Sequence, residues 1–375
     1  MKYPRAILLW SIWIVCGFAA ESRPVKLNLP LLECSERTVE HGIEADCIYK
    51  TQNGDWSIGY SKEGKEKRSL KYKLKNLVVL LHPSESHYRL REGWLPMVGP
   101  GKPLDPEKNV LLSVGLIGDG KPKVGSEKRL SDQVILEAIH AILDQVYPGA
   151  DFFIGGPSRG GQVAYLYALT HPDRVKGLFM VSATGFISQK DRAYKELFTN
   201  QILNLELALG PPSDWSSEQQ RDFWRKYTVD TLSTFFTPKF FQTPESMSEI
   251  GKTKDDYKDE ATFRKQLADS WVDWSSQQTD VAWFETQAQA IFQGLDRAQK
   301  EKRYPKLPKS ILLVYALNDG LTTAQEYGDF ASALRQAKKN VQEVKIEGSI
   351  LGHMACCSWP IAEEVRSSVG AFVQP

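Results

Sequence analysis

The sequence has little of what marks several large classes of protein. Five cysteines in 375 residues are too few for a disulfide-dense scaffold, and no group of cysteines and histidines has the spacing of a zinc site. Lys and Arg number 47 against 46 Asp and Glu, so the basic excess that nucleic-acid binders need for phosphate contacts is missing. With 42% hydrophobic residues and a formal charge of +1, the chain is not of the intrinsically disordered class.

Motifs for a metal ion or a nucleotide cofactor are missing as well. The stretch Gly118–Pro122 (GDGKP) is rich in turn residues but lacks the pattern of a phosphate-binding loop. We therefore expect no cofactor and no metal, and a small molecule as the substrate. The sequence leaves the oligomeric state open, with a homodimer among the options.

Apolar runs long enough to span a membrane are missing beyond the N-terminus. Lys2 and Arg5 precede an apolar stretch over residues 6–20, and small residues near its end would allow cleavage. The stretch is shorter than the roughly 20 residues of a transmembrane helix. Residues 1–20 are therefore predicted to be a secretory signal peptide rather than an uncleaved anchor. We expect a mature protein without a stable membrane span, in the secretory pathway or outside the cell.

Removal of the signal peptide would leave four cysteines, Cys34, Cys47, Cys356 and Cys357. In an oxidising compartment they could form one or two disulfides, and two disulfides have three possible pairings. Cys34–Cys47 is a candidate local bridge, whereas the adjacent pair Cys356–Cys357 can hardly bond to itself without backbone strain. Buried free thiols are the alternative.

Short apolar runs alternate with amphipathic stretches after a polar N-terminal segment. Continuous apolar strands that alternate with helices indicate a parallel sheet covered by helices on both faces. The predicted strands are Asn76–His82, Asn109–Leu116, Asp151–Gly155, Lys176–Ser182, Ser310–Ala316 and Val341–Ile346, and the predicted helices between them are Leu130–Val146 and Gln162–Leu169.

The pattern changes over residues 185–309, where no long β-branched run occurs and helix formers dominate. We interpret this segment as a helical cap inserted into a core made of residues 21–184 and 310–375. Its aromatic residues predict a separate small core, although some of them could line a large apolar pocket instead. The tryptophans of this segment are Trp215, Trp224, Trp271, Trp274 and Trp283.

The sharpest local motif is G-x-S-x-G, present as Gly156-Pro157-Ser158-Arg159-Gly160. An apolar strand precedes it and a helix follows, which is the strand–turn–helix context of a nucleophile elbow. The turn would lift the Ser158 hydroxyl out of the sheet. The N–H of Arg159 would then lie at a helix N-terminus, where it can stabilise an oxyanion.

A serine hydroxyl needs a base to become a good nucleophile. Asp319 follows the predicted strand SILLVYA, and His353 follows the last predicted strand, so both lie at carboxyl ends of strands, where sites form in parallel sheets. The order Ser158, Asp319, His353 predicts a catalytic triad. His82 competes as the base but lies in the exit loop of the first predicted strand. His41, His87, His140 and His171 lack suitable positions.

The loop after the first predicted strand should supply the second oxyanion donor. Pro83 has no N–H, so Ser84 is the predicted donor. Glu85 in the same loop is either solvated or a participant in acid–base chemistry.

The sequence at this point resembles the homoserine O-acetyltransferase branch of the α/β-hydrolase superfamily, over about residues 75–360. This resemblance implies an α/β-hydrolase fold and carries the triad over onto Ser158, Asp319 and His353. The stretches that carry it are Gly93–Asp105 (GWLPMVGPGKPLD), Asn109–Gly118, Gly155–Gly161 (GGPSRGG), His171–Val175 (HPDRV), Asp319–Leu321 and Ile346–Met354 (IEGSILGHM).

The substrate residues of that branch do not carry over. The family usually has Met where Arg159 stands, an Arg for the homoserine carboxylate where Thr199 stands, and an Asp near the substrate amine where Met354 stands. An amino-acid zwitterion would lose both charge partners, at a cost on the order of several kcal/mol. We therefore reject homoserine as the substrate and take Glu85, Thr199 and Met354 as candidate pocket residues. With its secretory signal, the chain resembles fungal members that act on secondary metabolites.

The expected function is hydrolysis of a neutral organic ester or lactone, such as a polyketide, by a Ser-His-Asp triad. The first alternative is an O-acyltransferase with the same acyl-enzyme, in which an alcohol replaces water as the acceptor. An epoxide-opening hydrolase of polyketide biosynthesis and a non-catalytic binding protein with an inert triad are minor alternatives.

Overall fold

The computed structural model describes most of the chain downstream of residue 31. The predicted signal peptide at residues 1–20 and Cys357 lie outside the described residues. Leu31–Pro375 form one compact unit, and the boundaries of the core and cap segments stay a prediction. The described residues are 32–51, 54–65, 76–83, 88–94, 97–116, 131–186, 188–210, 214–250, 252–278, 300–356 and 363–374.

One sheet of nine strands runs through the described residues. In chain order these are β1 (Leu32–Val39), β2 (Gly42–Thr51), β3 (Gly54–Glu63), β4 (Leu77–Leu81), β5 (Val110–Val114), β6 (Phe152–Pro157), β7 (Val175–Val181), β8 (Ser310–Ala316) and β9 (Asn340–Ile346). Their order across the sheet is β1-β2-β3-β5-β4-β6-β7-β8-β9. From β5 to β9 all neighbours are parallel, and the pairs from β1 to β5 are antiparallel. The prediction of a mostly parallel central sheet is confirmed.

Helices cover both faces of this sheet. Alternate residues of β4 enter two different cores, Val79 in one and Val78 in the other. This double burial explains why the central strands are continuous apolar runs. The α-helices are α1 (Leu90–Gly93), α2 (Asp132–Val146), α3 (Arg159–Thr170), α4 (Gln189–Leu209), α5 (Ser217–Phe235), α6 (Pro238–Phe241), α7 (Glu260–Gln278), α8 (Ala324–Gln336) and α9 (Glu363–Phe372), with 3₁₀ turns at Pro172–Arg174, Pro244–Ile250, Lys254–Asp256, Tyr304–Lys306 and Gly352–Cys356.

The first three strands were not predicted from the sequence. They are antiparallel strands at one edge of the sheet, and β1 is largely exposed. On β2 the buried side chains of Cys47 and Tyr49 alternate with more exposed neighbours. Such alternation is typical of a sheet with one solvated face, and it gives no continuous apolar run. Cys34 and Cys47 lie opposite each other on β1 and β2 and form a disulfide.

The described residues between β7 and β8 form helices and turns only. Trp215 and Trp224 pack with Ile202 and Val272 in a small core of this segment, as the aromatic pattern predicts. The side chain of Trp274 and all of Trp283 lie outside the described residues. In the described part of the chain, none of the helices combines the length and the apolarity needed to cross a lipid bilayer.

Candidate active site

Ser158 stands at the turn between β6 and α3 in a backbone conformation that few side chains adopt. Its φ is 48° and its ψ is −122°, a region that costs free energy for any residue except glycine. The surrounding structure fixes this turn, because the Ser158 N–H donates to the carbonyl of Val181 at 2.8 Å and helix α3 begins at the next residue. The strained turn aims the hydroxyl away from the sheet.

Two glycines of the G-x-S-x-G motif allow the turn to pack against β4. A β-carbon at Gly156 would lie 2.0 Å from the carbonyl oxygen of Leu81, and one at Gly160 would lie 2.1 Å from the same atom. Both contacts are with rigid backbone, so no larger residue fits without displacing the turn or the strand. The glycines of the motif therefore allow the ends of β4 and β6 to lie close together, in addition to allowing the turn itself.

The structure brings Ser158, His353 and Asp319 into one hydrogen-bonded chain. Asp319 follows β8, and His353 lies in the 3₁₀ turn Gly352–Cys356 after β9. The His353 Nε2 lies 3.1 Å from the Ser158 Oγ, and the His353 Nδ1 lies 2.9 Å from the Asp319 Oδ2. Because a carboxylate only accepts, Nδ1 carries the hydrogen and Nε2 can accept the serine proton. Both acid and imidazole are buried, with 0% and 5% of their side chains exposed.

Asp319 is held by four hydrogen-bond donors. Its Oδ1 accepts from the N–H of Leu321 at 2.7 Å and of Thr322 at 3.1 Å, and its Oδ2 accepts from His353 and from the Tyr327 hydroxyl at 3.0 Å. Burial acts to raise the pKa of this carboxyl, but the charge and hydrogen bond of His353 and the two amides outweigh it. They hold the pKa of Asp319 below its usual value, so the carboxylate is ionised and can stabilise an imidazolium.

Both ring nitrogens of His82, the competing base, contact backbone groups. Its side chain is fully buried, its Nδ1 lies 2.7 Å from the carbonyl oxygen of Pro83, and its Nε2 accepts from the N–H of Leu116 at 3.1 Å. Both contacts fit a neutral imidazole with the hydrogen on Nδ1. His82 thus ties the exit of β4 to the exit of β5 and is not placed to take the serine proton.

Comparisons with known proteins identify the family to which this fold belongs. Residues 120–356, more than half of the chain, match the family described as the alpha/beta hydrolase fold. The chain belongs to the α/β-hydrolase family. The homoserine O-acetyltransferase of Thermus thermophilus is 28% identical over 199 residues, which cover 48% of this chain and 50% of that protein. The matched stretch of this α/β hydrolase thus spans about half the length of such curated relatives.

Solved structures extend the likeness over most of the chain at the level of the fold. An acetylester hydrolase from Corynebacterium glutamicum is similar with a TM-score of 0.68 and 14% identity, over 92% of this chain and 96% of that one. A homoserine O-acetyltransferase from Bacillus anthracis is similar with a TM-score of 0.67 and 16% identity, over 92% and 98%. These likenesses confirm the α/β-hydrolase fold.

The unusual arginine of the elbow is accommodated by a buried ion pair. Arg159 is the first residue of α3, and its guanidinium Nη2 lies 2.5 Å from the Oδ1 of Asp132, the first residue of α2. Only 4% of the Arg159 side chain and 13% of the Asp132 side chain are exposed. The Arg159 side chain therefore points to α2, while its N–H is one of the first-turn amides of α3 that lack an intrahelical acceptor.

The C-terminal end of α5 packs on the loops that carry Asp319 and His353. A β-carbon at Gly320 would lie 2.0 Å from the carbonyl oxygen of Thr234, and one at Gly352 would lie 2.9 Å from that of Phe235. Just beyond the helix, the Thr237 hydroxyl donates to the carbonyl of Ile350 at 2.6 Å. The helical segment thus contacts the acid loop and the histidine loop together.

Not every predicted site residue can be placed. Ser84, the predicted oxyanion donor, and Glu85 lie outside the described residues, as does the side chain of Thr199. Met354 is half-buried and packs on an apolar cluster that includes Phe235. Tyr327 was missed, because a buried tyrosine on the apolar face of α8 has the sequence pattern of an ordinary core residue. Among the described residues, no group of three or more potential ligands is arranged to hold a metal ion.

Proposed function

We propose that the protein is a serine-dependent hydrolase that cleaves an ester or lactone of a neutral organic compound. The observation that carries this proposal is the continuous hydrogen-bonded chain from Ser158 through His353 to Asp319. The strained Ser158 backbone and the ionised Asp319 support it further, because an activated nucleophile needs both exposure and an oriented base.

In the proposed reaction the Ser158 Oγ attacks the carbonyl carbon while the His353 Nε2 takes its proton. The N–H of Arg159 stabilises the resulting oxyanion, together with the N–H of Ser84 that the sequence predicts. Collapse of the tetrahedral intermediate breaks the ester bond, and the departing alcohol takes the proton from His353. Water then attacks the acyl-enzyme with His353 again as the base, which releases the acid and restores Ser158.

The apolar surroundings of the histidine loop support a neutral substrate. The Phe235 ring lies 5.9 Å from the His353 ring, and Trp271 and Met354 pack with the cluster to which Phe235 belongs. Apolar and aromatic side chains of this kind line pockets for organic ligands. A secondary metabolite such as a polyketide ester is the finer form of this proposal and rests on the sequence resemblance.

A second candidate is O-acyl transfer through the same acyl-enzyme. The similarity to homoserine O-acetyltransferases favours it, because an alcohol can replace water in the second half of the reaction. One triad serves both outcomes, and the exclusion of water from the closed site decides between them.

A fluorophosphonate probe followed by peptide mass spectrometry tests the nucleophile. We expect the label on Ser158, and we expect Ser158→Ala to lose labelling and more than roughly 10³-fold of esterase activity. Ser182→Ala is the matched control, because Ser182 also has a positive φ at the end of a strand. We expect this variant to keep both the labelling of Ser158 and the esterase activity. A label on any other residue would contradict the mechanism.

The acceptor is tested separately with the purified enzyme. A simple acetyl ester and acetyl-CoA are each incubated with and without added alcohols, and the products are separated by chromatography. Free acetate in all mixtures supports the proposed hydrolase. Acetylated alcohol as the main product would overturn that proposal in favour of an acyltransferase.

We also propose that the protein enters the secretory pathway. The pattern of residues 1–20 supports this, and the Cys34–Cys47 disulfide fits an oxidising compartment. N-terminal sequencing of protein from the culture medium and from the cell pellet tests it. An intact residue 1 in protein found only in the reducing cytosol would contradict this localisation.

A further inference from the structure

One oxygen of Asp319 accepts two side-chain hydrogen bonds. The Oδ2 that receives the His353 Nδ1–H at 2.9 Å also receives the Tyr327 O–H at 3.0 Å. Tyr327 lies eight residues after Asp319, in the first turns of α8, and its side chain is fully buried. A second donor on this oxygen withdraws electron density from the atom that faces the imidazole.

The ring of Tyr327 is fixed independently of Asp319. It stacks on Tyr315 of β8 with centroids 4.1 Å apart and planes 9° apart. The Tyr315 hydroxyl donates away from the site, to Glu343 of β9 at 2.8 Å. The stack therefore presents the Tyr327 hydroxyl to Asp319 in a preset position, which reduces the conformational freedom lost on forming the hydrogen bond.

We propose that Tyr327 is a positioning residue that sets the basicity of His353 through Asp319. The proposal rests on the proposed function, since it assigns a role within the same site. The tyrosine hydroxyl shares the charge of Oδ2, so the carboxylate attracts a proton on His353 less strongly. The base consequently stays neutral, and able to accept the serine proton, to a lower pH than it would beside an Asp319 without this donor.

The groups around the Asp319–His353 pair allow this effect to be isolated. Helix α5 presents the apolar ring of Phe235 to His353, and the elbow presents the Ser158 hydroxyl. From α8 the Tyr327 hydroxyl contacts Asp319. The carboxylate of Glu343 on β9 is engaged by Tyr315 and by Arg335. A change of the Tyr327 hydroxyl alone thus alters a hydrogen bond of the pair and leaves these neighbours in place.

The test is the pH dependence of Ser158 labelling by a fluorophosphonate, which needs no knowledge of the substrate. The labelling rate of the free enzyme follows the fraction of neutral base. With Tyr327→Phe we expect the midpoint of the acid limb to rise by roughly half a pH unit. With a fluorinated tyrosine introduced at position 327, which is a stronger donor, we expect the midpoint to fall.

The matched control is Tyr315→Phe, which keeps the ring stack but removes a hydroxyl that does not touch Asp319. Its midpoint should coincide with that of the unchanged protein, and circular dichroism and thermal melting should show that all variants fold. A Tyr327→Phe midpoint equal to that of Tyr315→Phe overturns the role of Tyr327, while Ser158 labelling in the unchanged protein leaves the proposed function standing. Absence of Ser158 labelling in the unchanged protein overturns the proposed function itself.

Discussion

The ion pair between Arg159 and Asp132 predicts a large loss of stability on a small chemical change. Asp132→Asn keeps the shape of the side chain but removes its charge. The two side chains lie 2.5 Å apart with 4% and 13% exposed, and among the described residues the Arg159 Nε finds no hydrogen-bond partner. The variant would leave a guanidinium buried beside a neutral amide, at the positive end of α3. A broken buried pair of this kind costs about 3–5 kcal/mol.

The chain offers a matched control with the same residue types. Arg225 and Asp222 make a 2.7 Å contact with 50% and 66% of their side chains exposed. Because water screens this pair, Asp222→Asn should cost less than about 1 kcal/mol. Urea unfolding followed by tryptophan fluorescence measures both losses, provided that each transition is two-state.

A second substitution separates the charge from the contact. Arg159→Met in the Asp132→Asn background removes the uncompensated charge and should recover most of the lost free energy, because apolar replacements of buried pairs are often neutral or stabilising. Equal losses for Asp132→Asn and Asp222→Asn would refute this reasoning. So would a double variant as unstable as Asp132→Asn alone.

Three further predictions concern the elbow, a histidine and the disulfide. Gly160→Ala should abolish most of the proposed esterase activity, because its β-carbon would lie 2.1 Å from a carbonyl oxygen of β4. The β-carbon of Gly328→Ala meets no atom within 4 Å, so this variant should keep the activity and stabilise α8 by about 0.5–1 kcal/mol; equal effects of the two variants on activity would contradict this prediction. Burial, then neighbouring basic groups, lower the pKa of His171 from 6.5, so the unfolded chain binds the proton more readily and thermal melting temperatures should fall as pH drops through that value. The fall in melting temperature should be smaller for His171→Gln. An equal dependence of melting temperature on pH in the variant and the unchanged protein would refute this prediction. The bridge Cys34–Cys47 closes a separation of 13 residues, so the double serine variant should lose about 3 kcal/mol in urea unfolding, and an unaltered midpoint would exclude this contribution.

Much of the fold could be predicted because the central strands have a clear sequence signal. A strand buried on both faces is a continuous apolar run, and the runs around Val79, Leu112 and Leu313 fall on β4, β5 and β8. The meeting of Ser158, Asp319 and His353 could be predicted for a related reason. Parallel strands gather their carboxyl ends at one edge, so residues far apart in sequence but each just past a strand end converge there. Their catalytic role remains a proposal.

The edge of the sheet, the Arg159–Asp132 ion pair and the role of Tyr327 could not be predicted, because they depend on contacts between residues that are distant in the sequence. The antiparallel strands β1 to β3 contain no continuous apolar run, so their sequence predicts only a polar segment. Nothing in the sequence pairs Arg159 with Asp132, 27 positions away. Tyr327 has the spacing of a core residue, whereas its hydrogen bond to Asp319 shows another role.

The packing of α5 on the loops that carry Asp319 and His353 affects how a substrate can enter the site. The carbonyl oxygens of Thr234 and Phe235 lie against Gly320 and Gly352. These glycines are the direct neighbours of Asp319 and His353. We expect displacement of this end of the helix to disturb both loops together, and with them the hydrogen bonds that join Ser158, His353 and Asp319. For the proposed reaction, we therefore expect the substrate to reach Ser158 while this end of α5 stays in place.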